Sequence, residues 1–171
     1  MSIDSIIAID HLYTGSIRSL FGNSSFFYVL FAIFTNPYFI LLFFYITALF
    51  LFSSQNIIKK IIFFFLIGGC VFFVSDYLLK YIFKISRPDL NQFCPSNYSF
   101  PSSHSVIAFT YAVFLSFINR HFTLLLLFIA GLIGTSRIYL GCHYLSDVVV
   151  GGVIGSLFGY LFFLMFKKYI A

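Results

Sequence analysis

Glutamate is absent from the 171 residues, and five aspartates are the only acids against ten lysines and arginines. Charged residues of all kinds make up 9% of the chain, while 61% is hydrophobic and the mean hydropathy is +1.02. A soluble domain of this size cannot bury so much apolar surface, so the composition reads as an integral membrane protein. Cysteine is scarce too: Cys70, Cys94 and Cys142 give an odd count with no metal-type spacing. There is no basic stripe on a soluble face, which argues against nucleic-acid binding. The formal charge of +5 comes mostly from Lys59–Lys60 and Lys167–Lys168, pairs that flank apolar runs. The first 25 residues lack a basic start followed by an apolar core, so no removable signal peptide is expected. No internal repeat or low-complexity linker breaks the chain, and residues 1–171 read as one membrane domain.

What is present is a series of long apolar runs, with phenylalanine supplying 27 residues. Residues 38–52, 57–79, 103–119, 122–140 and 147–166 read as five membrane spans. They must be helices, because backbone groups left unpaired in hydrocarbon are too costly. Residues 26–34 are apolar but short, and Asn36-Pro37 interrupts them; they form either an interfacial segment or the first part of a broken helix with 38–53. Residues 3–12 carry apolar positions at helical spacing around Asp4, Asp10 and His11, as in a short interfacial helix. The fold class expected is therefore all-α, a polytopic bundle of five to six membrane helices with an N-terminal interfacial helix.

Lysine and arginine counts set orientation weakly. One side collects Lys59, Lys60, Arg120, Lys167 and Lys168, the other Arg18, Lys80, Lys84, Arg87 and Arg137. If Lys80, Arg87 and Arg137 are reserved for chemistry, the balance makes the first side cytoplasmic.

The second side is where the rare polar residues gather. The stretches KYIFKISRP (80–88) and PSSH (101–104) lie in one loop, and SRIYLGCHYLSD (136–147) shares their side because two spans separate it from that loop. Together they bring Lys80, Arg87, Arg137, Ser102, Ser103, His104, His143 and Asp147 to one surface. Singly, each has an ordinary explanation: Lys80 as a helix-end side chain reaching the headgroups, Ser102 or Ser103 and Asp147 as helix caps, the histidines as structural. Jointly those explanations fail, since ionisable groups at membrane depth are costly and usually functional. Three cations, two hydroxyls and a helix N-terminus make an anion site suited to phosphate. His143 and Asp147, four apart, share a helix face if the helix starts near Tyr144. The carboxylate then takes the proton of one ring nitrogen and leaves the other as a nucleophile. His104, from a different loop, is free to protonate a leaving oxygen.

These residues resemble the type 2 phosphatidic acid phosphatases, the PAP2 or lipid phosphate phosphatase superfamily. Its signature of K-x6-RP, PSGH and SR-x5-H-x3-D corresponds here to Lys80 with Arg87-Pro88, then Pro101-Ser102-Ser103-His104, then Ser136-Arg137, His143 and Asp147. One position departs: Ser103 stands where the family has glycine, adding a side chain that can donate its own bond. The resemblance implies that His143 attacks phosphorus to form a phosphohistidine and that Asp147 orients it. It implies that His104 serves the leaving group and then water, while Lys80, Arg87, Arg137, Ser102 and Ser103 hold the phosphate oxygens. It implies no metal and no cofactor; on the sequence, Asp89 and Asp147 are the only acids near the site, too few for a two-metal clamp.

Gly151, Gly155 and Gly159 continue the Asp147 face at intervals of four, where small residues let a neighbouring helix come close. Cys94 and Cys142 fall on the active-site side; in an oxidising compartment they would pair, otherwise they are buried thiols. Only twelve residues separate Pro88 from Pro101, leaving no room for a covering domain. That favours a minimal phosphatase of the bacterial cytoplasmic membrane with its site facing the exterior or periplasm. By resemblance its substrate is undecaprenyl pyrophosphate, with lipid A 1-phosphate, phosphatidylglycerol phosphate and phosphatidic acid as alternatives. The other class in play is a binder of lipid phosphates without turnover. The bilayer and its lipid phosphates are the expected partners.

Overall fold

The computed structural model describes residues 3–22, 24–52, 57–89, 92–95 and 97–170, with side chains described from residue 9 to residue 167 of those ranges. Residues 53–56 of the expected 53–60 loop and the side chains of Asp4 and Lys168 lie outside it.

Among the described residues every regular element is helical: α1 (Ile3–Phe21), α2 (Ser25–Phe34), α3 (Pro37–Leu51), α4 (Ile57–Phe72), a π-helical stretch (Phe73–Leu79), α5 (Lys80–Phe83), α6 (Ser103–Ile118), a 3-10 turn (Arg120–Phe122), α7 (Thr123–Tyr139) and α8 (Leu145–Ile170). The segments from α4 to α5 run on as one helix, Ile57–Phe83. That helix, Arg120–Tyr139 and Leu145–Lys167 are each long and apolar enough to cross a membrane. Ile9–Phe21 and Ser25–Phe34 pass the same test only together, as a pair bent by 118°. Three clear candidate spans, or four with the bent pair, thus stand where the sequence reading expected five to six.

Two of the expected spans are shorter apolar helices. α3 has 15 residues and α6 has 16, so at 1.5 Å per residue neither reaches the ~30 Å of a hydrocarbon core. α6 is the axis of the bundle, with α3, α4, α7 and α8 packed around it. Val106, Ala108, Ala112, Phe114 and Leu115 are buried on several of its sides. The lipid-facing load is carried outside it, by exposed Phe50, Phe65, Leu66, Phe73, Leu124, Phe128, Val153, Leu157 and Met165. An apolar belt of that extent belongs against lipid, and the protein is an integral membrane protein.

α8 lies close along α6 because its glycines allow it. A Cβ on Gly155 would stand 2.3 Å from the Val106 carbonyl oxygen, and one on Gly159 would stand 2.5 Å from that of Thr110. At the site end the Ser102 amide donates to the Asp147 carbonyl, 3.1 Å away. The glycine stripe therefore sets where Asp147 stands relative to the PSSH turn. Deeper in the core, Phe64 stacks on Tyr111 at 4.2 Å, and the Tyr111 hydroxyl donates to the Phe64 carbonyl at 2.8 Å.

At the N-terminus one expectation changes, and the open reading of 26–34 gains a helix boundary. α1 runs to Phe21, well past the expected 3–12 helix, because it is fastened at the site end of the bundle. There the Leu145 amide donates to Thr14 Oγ1 at 3.0 Å, the Ser146 amide to Asp10 Oδ1 at 3.1 Å, and Arg18 pairs with Asp89 at 2.8 Å. The 26–34 segment is a helix of its own. Asn36 Oδ1 accepts from the Tyr38 amide at 2.9 Å and from the Phe39 amide at 3.4 Å, capping α3 behind Pro37 and separating it from α2.

Candidate active site

The π-helical stretch offsets the register of the long helix just before its end, and the two charged residues there, Asp76 and Lys80, turn inward. Lys80 is 2% exposed and forms an ion pair with Asp76. α5 ends at Lys84 in a left-handed conformation, φ 52°, and the chain turns across the end of the bundle. Ser99 pins that turn, its amide donating to the Ile85 carbonyl at 2.8 Å. The Cys94–Cys142 disulfide ties the 84–102 loop to the loop between α7 and α8.

Arg87 bridges the same two loops. Its Nε donates to the Asn97 carbonyl at 2.9 Å, and Nη2 to Asn97 Oδ1 at 2.7 Å and the Tyr98 carbonyl at 3.0 Å. Nη1 reaches the Cys142 carbonyl at 2.8 Å and His143 Nε2 at 2.9 Å. A guanidinium only donates, so Nε2 is the accepting nitrogen and the ring proton sits on Nδ1. Nδ1 faces Asp147 Oδ2 at 3.2 Å. The same oxygen accepts from the Tyr144 amide at 3.0 Å, so Asp147 also caps α8. Both side chains are 1% exposed. Burial holds the His143 imidazole well below its ordinary range, and repulsion from Arg137, Arg87, Lys80 and His104 adds to it.

Arg137, at the end of α7, is 1% exposed. It donates to Thr35 Oγ1 and, at 3.3 Å, to the Phe93 carbonyl, while its Nε has no partner among the described residues. A buried guanidinium N–H without an acceptor suits a site built to take an anion. His104, in the first turn of α6, places Nε2 3.0 Å from the Thr35 carbonyl. All eight residues expected from the sequence therefore stand at one end of the bundle.

Several expectations need correction. Ser102 occupies the N-cap position of α6 but makes no side-chain capping bond; its Oγ accepts from Ser105 instead, at 3.2 Å. The Ser103 hydroxyl donates to Asp76 Oδ1 at 2.8 Å. Asp89 serves as a rim tie, its side chain held by Arg18 and its main-chain amide donating a hydrogen bond to the Gly141 carbonyl at 3.1 Å. The acid inside the site besides Asp147 is Asp76, which sequence reasoning missed. It binds Lys80, Ser103 and, at 3.1 Å, Asn97 Nδ2. Its spacing of four before Lys80 was a usable signal. Asn97 and Thr35 were also missed, and neither had a sequence signal beyond Thr35's place beside Asn36-Pro37. Among the described residues, no group of three or more His, Cys, Asp or Glu is arranged to hold a metal ion.

A groove of about 640 Å³ opens from this cage along the bundle. Asp76, Ser103 and His104 form its polar end, and Ile40, Leu41, Phe65, Phe72 and Ile107 continue it between α3, α4 and α6.

Fold and site together define a membrane-embedded helical bundle with a buried histidine–aspartate couple among three buried cations. Residues 60–171 match the PAP2 superfamily, and the chain belongs to it. Phosphatidylglycerophosphatase B of Bacillus subtilis is 38% identical over 112 residues, covering 54% of this chain and 52% of that protein. Undecaprenyl-diphosphatase BcrC, also of Bacillus subtilis, is 32% identical over 103 residues, covering 57% of this chain and 53% of that protein. The chain thus spans about half the length of these relatives. Its fold is also that of the transmembrane PAP2-type phosphatidylglycerolphosphate phosphatase of Bacillus subtilis. The TM-score is 0.74 at 21% identity, over 98% of this chain and 88% of that one.

Proposed function

We propose that this protein is a metal-independent lipid phosphatase that works through a phosphohistidine on His143. The observation that carries the reading is His143 itself, buried, with Asp147 on Nδ1 and a displaceable guanidinium on Nε2. An entering phosphate draws Arg87 Nη1 onto one of its oxygens and so uncovers the Nε2 lone pair. Nε2 then attacks phosphorus, the bond from phosphorus to the lipid oxygen breaks, and His104 delivers a proton to that oxygen. Lys80, Arg87, Arg137 and Ser102 hold the remaining oxygens as charge builds on them, joined by Ser103 once its hydroxyl turns from Asp76. In the second step water attacks phosphorus, His104 takes its proton, and phosphate leaves His143. Asp147 stabilises the imidazolium character of His143 throughout.

The apolar groove supports a substrate whose phosphate is carried on a long lipid chain. Undecaprenyl diphosphate is the substrate we place first, because two relatives, BcrC among them, bear that activity in their names. A glycerolipid phosphate is the second reading, favoured by the likeness to phosphatidylglycerophosphatase B. The disulfide on the site side fits an oxidising compartment. With Lys59, Arg120 and Lys167 toward the other end, the site then faces the exterior of a bacterial cytoplasmic membrane.

Purified protein in detergent with EDTA, given a panel of polyprenyl and glycerolipid phosphates, is expected to release phosphate, fastest from undecaprenyl diphosphate. A His143→Ala variant should lose at least about a thousandfold in kcat/KM. Binding with no turnover of any member of the panel would favour a carrier of lipid phosphates instead.

A further inference from the structure

We infer that Thr35, at the break between α2 and α3, is a positioning residue that fixes which nitrogen of His104 handles the proton. This rests on the phosphatase reading above and adds to it the orienting partner of the second histidine.

The chain of cause begins with Asn36-Pro37. In an uninterrupted helix the Thr35 carbonyl would accept from the Phe39 amide, four residues on. Here Asn36 Oδ1 takes the Tyr38 and Phe39 amides, at 2.9 and 3.4 Å, and Pro37 has no amide to offer. The Thr35 carbonyl is left free, buried, and pointed at α6, where it meets His104 Nε2 at 3.0 Å. A carbonyl can only accept, so the neutral His104 ring carries its proton on Nε2 and its lone pair on Nδ1. Nδ1 is therefore the atom that gives a proton to the leaving oxygen and later takes one from water. In the protonated ring, Nε2–H stays on Thr35 while Nδ1–H is available.

The two histidines are thus oriented oppositely and by different groups. Asp147 holds the Nδ1–H of His143, and its charge favours the positive ring that forms when Nε2 bonds phosphorus. The Thr35 carbonyl is neutral, so it aims His104 without trapping the proton that this ring must release. The hydroxyl of the same residue accepts from Arg137. One buried threonine, 6% exposed, therefore ties the proton carrier on α6 to a phosphate-binding cation on α7.

The direct test is the tautomer. Ring-nitrogen NMR of histidine-labelled protein in detergent, with the His104 signal assigned by its loss in His104→Asn, is expected to show Nε2–H in the neutral ring. An Nδ1–H ring would overturn the inference. Thr35→Val keeps the carbonyl and should keep that tautomer; a switch to Nδ1–H in this variant would overturn the assignment to the main chain. Asn36→Ala releases the Phe39 amide to compete for the Thr35 carbonyl and supplies a kinetic test. Its kcat/KM should fall at least about tenfold on an alkyl phosphate, whose leaving oxygen needs a proton. On p-nitrophenyl phosphate, which needs none, the loss should stay within about threefold. Equal losses on both would mean a merely structural role. A wild type that hydrolyses nothing would overturn the phosphatase reading, while the ring tautomer would still decide the role of Thr35.

Discussion

Three buried cations face two carboxylates in the cage, and each pairing has a separate consequence. Asp76 binds Lys80 and Ser103 and so holds both at the polar end of the apolar groove. Arg87 does the same for His143, sitting on the nitrogen that is proposed to attack. Because burial and the surrounding cations depress the His143 pKa, the ring is neutral in the native protein at pH values where a free imidazole would be half charged. Its contribution to stability is complete above the unfolded value of about 6.5 and is lost as pH falls through the native one. The same shift predicts that the acid limb of kcat/KM lies below the ordinary imidazole range. Arg87→Gln removes one source of repulsion, so it should move that limb to higher pH as well as weakening phosphate binding. A pH–rate profile checks both, and a limb that stays put in Arg87→Gln would mean the guanidinium does not act on His143.

At the scale of helices, the site depends on how closely α8 can approach α6. Gly155→Ala places a methyl group against the Val106 carbonyl and should cost about 1–3 kcal/mol, with a parallel loss of activity as Asp147 draws away from Ser102. Gly131→Ala on α7 meets nothing within 4 Å and should leave the thermal midpoint unchanged or slightly raised. Thermal unfolding of the two variants side by side separates the effect of close packing from that of glycine itself. The four-residue spacing of Gly151, Gly155 and Gly159 made this contact legible in the sequence. Other elements were not legible. The second half of α1, YTGSIRSLF, carries no strong helical period and is held as helix by contacts 71 and 131 residues away, from Arg18 to Asp89 and from Thr14 to Leu145. The π-helical stretch leaves no mark in FVSDYLL that composition alone would show.

At the scale of the whole molecule, the three motifs were readable because their chemistry is so unlike the rest of the chain. Lys80, Arg87, Arg137, His104, His143 and Asp147 stand out against a sequence with few charges, and their common side followed from counting apolar runs. Thr35, Asn97 and Asp76 were harder to read because their roles exist only once distant helices meet. The pairing of Cys94 with Cys142 likewise depended on two loops closing over each other. It also offers a handle on orientation. In intact cells, an impermeant reductant followed by an impermeant maleimide should label these cysteines from outside. Labelling that requires permeabilised cells would reverse the orientation.

The most direct measurement of the central claim is to trap the intermediate. Protein mixed briefly with a lipid phosphate carrying 32P on its terminal phosphate, then quenched in alkaline detergent, should hold label that survives base and is lost in mild acid. That label should map to the peptide containing His143 and be absent in His143→Ala. Label on any other residue, or undiminished turnover with His143 replaced, would contradict the account.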